Sequence, residues 1–177
     1  MSRIHVRYFF AVLSLLSQSA FAIDWLDEDC GRYGAYTGKL FSLSIATSFH
    51  GTSEFKLCKS ESQKYLVVST IDFVKVDESQ PLASRASRYR IQLFEQEYAQ
   101  VASLYKKALS YNTLDDVMGV DGSTWCLESQ RGINYTKACF WTPSVNYEER
   151  GLVGLYNLAN YLWEFTGLNK NEKLQLY

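Results

Sequence analysis

From Lys39 to Ser48 the chain alternates: Phe41, Leu43, Ile45 and Thr47 are separated by Ser42, Ser44, Ala46 and Ser48. A period of two favours a strand with one wet face, while a helix ending near Gly51 fits the same residues. Residues 54–58 read as extended. Tyr65 to Val76 reads as a strand, because Leu66, Val67, Val68, Ile71, Phe73 and Val74 are largely β-branched or aromatic. A polar connection, 77–87, carries Pro81 and the serines Ser79, Ser84 and Ser87, and is longer than a usual hairpin loop. Alternation then resumes over 88–93, with Tyr89, Ile91 and Leu93 facing inward and Arg88, Arg90 and Gln92 facing water.

The period changes at Phe94. Phe94, Tyr98, Val101, Tyr105, Ala108 and Leu109 form one stripe of a helix over 94–110. Glu95 and Glu97 in its first turn and Lys106 and Lys107 in its last match the helix dipole. A connection over 111–122 ends in Asp121-Gly122, a turn signal. Residues 124–130 and 135–142 then read as a hairpin whose register follows from the side chains. With Cys126 opposite Cys139, Glu128 meets Lys137 on the same face, while Trp125 meets Phe140 and Leu127 meets Ala138 on the other. A four-residue loop, 131–134, closes it. A last helix is expected from Asn146, which caps while Glu149 bonds back. Its stripe is Leu152, Leu155, Tyr156, Ala159, Leu162 and Trp163, and Gly167 stops it. Gly151 and Gly154 suit close packing on a sheet. Residues 168–177 read as a loose tail. The fold class is α+β, with an antiparallel sheet of four or more strands and two helices on one face.

The first 22 residues stand apart. Arg3 and Arg7 precede an apolar run from Tyr8 to Leu16, and Ala20-Phe21-Ala22 places small residues where a signal peptidase cuts. The run is too short for a membrane-spanning helix, and no later run is long enough. The expectation is a signal peptide over 1–22, one domain over 23–167, and a periplasmic or secreted location. Cleavage removes 22 of the 177 residues and two of the 18 basic ones, leaving 16 basic against 19 acidic. That balance disfavours a nucleic-acid partner, which would ask for a basic excess.

Export changes how the four cysteines are read. Cys30, Cys58, Cys126 and Cys139 are an even set in an oxidising compartment, so two disulfides are expected. Zinc is disfavoured: there is no Cys-x-x-Cys and His50 is the one histidine after residue 22. The hairpin register favours Cys126–Cys139, leaving Cys30–Cys58; the other two connectivities remain open at this point. The acidic cluster Asp24, Asp27, Glu28 and Asp29 reads as a solvated leader.

Catalytic parts are scarce. His50 lies in a turn-like stretch, without the third group of a triad. Disulfide-bonded cysteines are not nucleophiles, no phosphate-binding glycine loop occurs, and no cofactor or metal is implied. Asp115, Asp121 and Glu128 could serve acid/base hydrolysis only if a cleft gathered them. Aromatic residues are abundant, with 13 tyrosines and 4 tryptophans, and these types concentrate in protein-binding patches. Tyr33, Tyr36, Arg88, Arg90, Tyr111, Tyr135 and Tyr147 form the candidate contact set. The segment Asp121-Gly122-Ser123-Thr124-Trp125-Cys126-Leu127-Glu128, followed by Phe140-Trp141-Thr142-Pro143 and a helix, resembles small exported bacterial proteins. Some of these resemble immunity proteins, which block toxins in the periplasm. The resemblance spans roughly 88–167 and transfers no functional residues. Export, small size, the expected disulfides and the scarcity of catalytic groups favour a protein-binding module, an inhibitor or immunity protein whose partner is another protein. An envelope accessory or stress protein binding a wall component is the alternative, and a small carboxylate-dependent hydrolase is less favoured. Mass spectrometry of the exported protein should find a chain beginning at Ile23, and retention of residues 1–22 overturns the export reading.

Overall fold

Alternation over 39–47 builds the central strand of a sheet. In the computed structural model, which describes residues 29–33, 36–74, 79, 82–131, 134–171 and 174–176, the chain opens with two short paired strands, β1 (Arg32–Tyr33) and β2 (Tyr36–Thr37). Four strands follow as a meander: β3 (Lys39–Thr47), β4 (Gly51–Lys59), β5 (Lys64–Val74) and β6 (Ala83–Gln92). Helix α1 (Glu95–Ala108) carries the chain back across the sheet to β7 (Ser123–Arg131), which pairs with β3 on its free side. β8 (Asn134–Trp141) forms the far edge, and α2 (Val153–Phe165) returns to lie beside α1. The spatial order is β6-β5-β4-β3-β7-β8, antiparallel throughout. This is an α+β fold with two disulfides, Cys30–Cys58 and Cys126–Cys139.

The sheet has one dry face. Phe41, Leu43 and Ile45 of β3, Phe55 and Leu57 of β4, Leu66 and Val68 of β5, and Trp125 and Leu127 of β7 are all buried. They meet Val101 and Ala108 of α1 and Leu155, Leu158, Leu162 and Trp163 of α2 in one core. Phe41 stacks on Tyr105 at 4.6 Å between ring centroids. The other face keeps the polar half of the alternation, Ser44, Glu54, Lys56 and Glu128, and both disulfides lie on it.

The hairpin register is as expected, with Trp125↔Phe140, Cys126↔Cys139, Leu127↔Ala138 and Glu128↔Lys137 all paired. Pairing continues to Arg131↔Asn134, so the loop is two residues shorter than expected; residues 132–133 lie outside the described ones. The expected connection 77–87 is also too long, since β6 begins at Ala83 opposite Val74. Phe94 does not join the core stripe. It is the exposed residue before α1, its backbone N–H bonded to Glu97 Oε2 at 2.8 Å.

The largest correction is the start of α2, at Val153 instead of Asn146. Asn146 has φ 54° and Gly151 φ 69°, so the segment between them makes turns and not a helix. Gly167, with φ 75°, ends α2 as expected. The following tail is better anchored than its composition suggests, because Leu168 and Leu174 are buried. No helix among the described residues is long and apolar enough to cross a membrane.

Gly154 packs against the other helix instead of the sheet. A Cβ there would lie 2.4 Å from the carbonyl oxygen of Lys107. Helix propensity alone would make Gly154→Ala stabilising by about 1 kcal/mol. The clash reverses the sign: urea unfolding should show a loss of about 1–3 kcal/mol, the usual range for overpacking.

Candidate functional site

The sheet and helices deliver four connections to one end of the molecule, called here the tip. They are the β3–β4 turn, the β5–β6 connection, the long α1–β7 loop and the β8–α2 segment. The tip holds most of the exposed large apolar side chains among the described residues. Of twelve exposed large apolar or aromatic residues among those described, ten are there. Phe49 sits in the β3–β4 turn, Ile71 and Leu82 flank the next connection, and Val145 and Val153 flank the β8–α2 segment. Leu109, Leu114, Val117, Met118 and Val120 belong to the α1–β7 loop, with Leu114 84%, Met118 89% and Val120 94% exposed. The other two, Phe94 and Tyr135, lie at the opposite end.

This exposure does not come from a slack loop. Asn112 Oδ1 accepts the N–H of Leu114 at 2.9 Å, a local turn. Gly119 lies so close under Trp141 that a Cβ would be 2.2 Å from the indole ring. Gly122 and Ser48 exchange hydrogen bonds of 2.9 and 3.2 Å, tying the loop to the β3–β4 turn. At the centre stands Arg150. Its Nε and Nη2 donate to Asp115 at 2.9 and 2.8 Å, a bidentate pair. Nη1 also donates to the carbonyls of Thr142 and Val145, at 2.8 and 3.1 Å, and Nη2 to that of Trp141 at 2.8 Å. All five donors of the guanidinium are thereby used. Both side chains of the pair are largely shielded from solvent. Arg150 holds the Asp115 carboxyl below its ordinary range, chiefly through these hydrogen bonds, and burial opposes the shift.

Charge at the tip has one sign along its two long connections. Residues 109–122 and 142–152 carry five carboxylates and one guanidinium, and Asp115 neutralises that guanidinium. Asp116, Asp121, Glu148 and Glu149 remain exposed. The nearest cations in sequence, Lys106 and Lys107, close α1.

Among the described side chains, those singled out in the sequence do not form one patch. Arg88 and Arg90 lie on the open face beside Asp29, which is buried and not a solvated leader residue. Its carboxylate pairs with Lys56 at 2.9 Å and with Arg88, while its backbone oxygen accepts from Tyr65 and Arg90 at 3.0 and 3.1 Å. Asp29, Arg88, Tyr89 and Arg90 line a shallow depression of about 390 Å³. Asp24, Asp27 and Glu28, like residues 1–22, lie outside the described residues, as do the side chains of Tyr33 and Tyr36. Tyr111 is half-buried against Phe140, and Tyr147 stacks on Tyr156 at 4.1 Å. Tyr135 is exposed near the β7–β8 turn and donates to Glu128 at 3.3 Å.

The carboxylates weighed for hydrolysis are also apart. Asp115 is held by Arg150. Glu128 lies five residues along β7 from the tip, bound by Lys39 at 2.7 Å. Burial pushes its carboxyl upward, and Lys39, Lys137 and Tyr135 together more than offset that, leaving it below its ordinary range. The His50 N–H bonds Thr47 Oγ1 at 3.0 Å within the turn. No cluster of metal-ligating side chains occurs among the described residues.

Removing Arg150 leaves Asp115 buried without its partner, so Arg150→Ala should cost about 3–5 kcal/mol in denaturant unfolding. Because the folded pKa of Asp115 is depressed, its contribution is complete above about pH 5 and is lost as pH falls through the depressed value. Asp115→Asn should therefore flatten the acid limb of the stability curve. Comparison with protein-family models and with curated proteins finds no match, so function has to be read from this chain's own residues.

Proposed function

We propose that the chain is an exported protein-binding module of inhibitor or immunity type, docking through the tip. The observation that carries this reading is the gathering of ten exposed large apolar side chains at the tip, five of them on the α1–β7 loop that Arg150, Trp141 and Ser48 pin. Exposed apolar surface on this scale marks interaction sites. A pinned loop loses little conformational entropy on binding, which favours affinity. The acidic rim selects a partner with an apolar centre bordered by lysine or arginine, and it disfavours an anionic lipid surface. Two disulfides suit service outside the reducing cytoplasm. An inhibitor needs no catalytic groups of its own, which fits the commitment of Asp115 and Glu128 to ion pairs.

The test is a comparison of surfaces. Wild-type protein, a Leu114→Ser/Met118→Ser/Val120→Ser variant and a Tyr135→Ala variant would be immobilised and exposed to envelope and secreted fractions. A stoichiometric protein retained by the wild type and Tyr135→Ala, and weakened at least about ten-fold by the tip variant, is the expected result. Equal retention by all three, or retention of wall fragments alone, overturns the reading.

A further inference from the structure

The two disulfides live in opposite environments. Cys30 and Cys58 are sealed, both fully buried in a small cluster with Tyr65 and Val67 on which Asp29 sits. Cys126 and Cys139 lie on the open face of the edge hairpin, Cys126 half-buried and Cys139 exposed. On the β3 side the neighbour of Cys126 is Ser44, too small to shield the sulfur. On the other side β8 is the outermost strand of the sheet. The next pair on the same face, Glu128 and Lys137, leaves Lys137 exposed two residues from Cys139.

Thiol–disulfide exchange needs an attacking thiolate to reach a sulfur, so access decides which bridge reacts. We propose that Cys126–Cys139 is a thiol-exchange site for a dithiol, opened in the folded protein while Cys30–Cys58 stays closed, and that its opening loosens the tip. A dithiol's thiolate attacks Cys139 Sγ, forming a mixed disulfide and expelling the Cys126 thiolate. The dithiol's second sulfur then attacks the mixed disulfide and releases Cys139. Two electrons and two protons pass to the cysteines, and the dithiol becomes a disulfide.

The link to the tip is short. Thr124↔Trp141 is the next pair on the same face as the bridge. The Trp141 ring covers Gly119, and its carbonyl accepts from Arg150. Removing this cross-link lets β8 shift against β7, and so acts on two of the points that hold the α1–β7 loop. Exchange at the bridge is independent of whether the tip docks a partner.

The experiment uses the oxidised native protein. It is treated with dithiothreitol and, separately, with a protein dithiol of the Cys-x-x-Cys type. Opened cysteines are trapped by alkylation and assigned by mass spectrometry, and amide exchange is followed on the same samples. Cys126 and Cys139 should be labelled at least about ten-fold faster than Cys30 and Cys58, a difference that vanishes in denaturant. Once that bridge is open, amide exchange over 114–121 and 134–141 should quicken while β4 and β5 keep their protection. Equal labelling of both bridges, or earlier opening of Cys30–Cys58, overturns the exchange site. Unchanged exchange at 114–121 after selective reduction overturns its coupling to the tip.

Discussion

The tip depends on one guanidinium. Arg150 reaches a carboxylate 35 residues earlier in the chain and three carbonyls on its own side, and no donor is left over. A buried charge is tolerated only when paired and fully hydrogen-bonded, so this arrangement is close to all-or-none. It decides the path of both long connections. Residues 142–152 must curl around the guanidinium, which delays α2 by seven residues relative to its capping signal. Residues 109–122 must bring Asp115 inward, and that turns their apolar side chains outward.

Below the tip, the polar and apolar halves of each strand have separate duties. The dry face supplies cohesion through Phe41, Phe55, Trp125 and the two helices. The wet face supplies attachment: Asp29 fastens the start of the described chain to Lys56, Arg88, Tyr65 and Arg90, and the adjacent Cys30 makes that attachment covalent. Residues such as Arg88 and Arg90, which sequence reasoning offered to a partner, already hold the chain to itself. The fold thus rests on a central meander, with a fastening at one end and a presented surface at the other.

What could be read from the sequence divides along physical lines. The β7–β8 register was legible because a cysteine pair, a charge pair and an aromatic pair all required the same alignment. The strand at 83–87 was not, because an edge strand wet on both faces can be built of serine, alanine and arginine without alternation. Asn146 and Glu149 make a sound local helix start, and only the distant Asp115 explains why it is overridden. The surface of the tip was missed for another reason. Leu114, Val117, Met118 and Val120 have no period, so nothing assigned them to a helix or a strand. Four large apolar residues in an aperiodic connection are themselves the signal of an exposed surface.

β6 closes one side of the sheet with ten residues and no bulge in its pairing. Such a border invites a neighbouring chain to continue the sheet. Here it carries Arg85, Arg88 and Arg90 among alanines and serines. A second copy laid antiparallel along it would bring arginines together on both faces of the seam, and would find few large side chains there to bury. A border of arginines among small side chains is thus a poor template for pairing with its own kind.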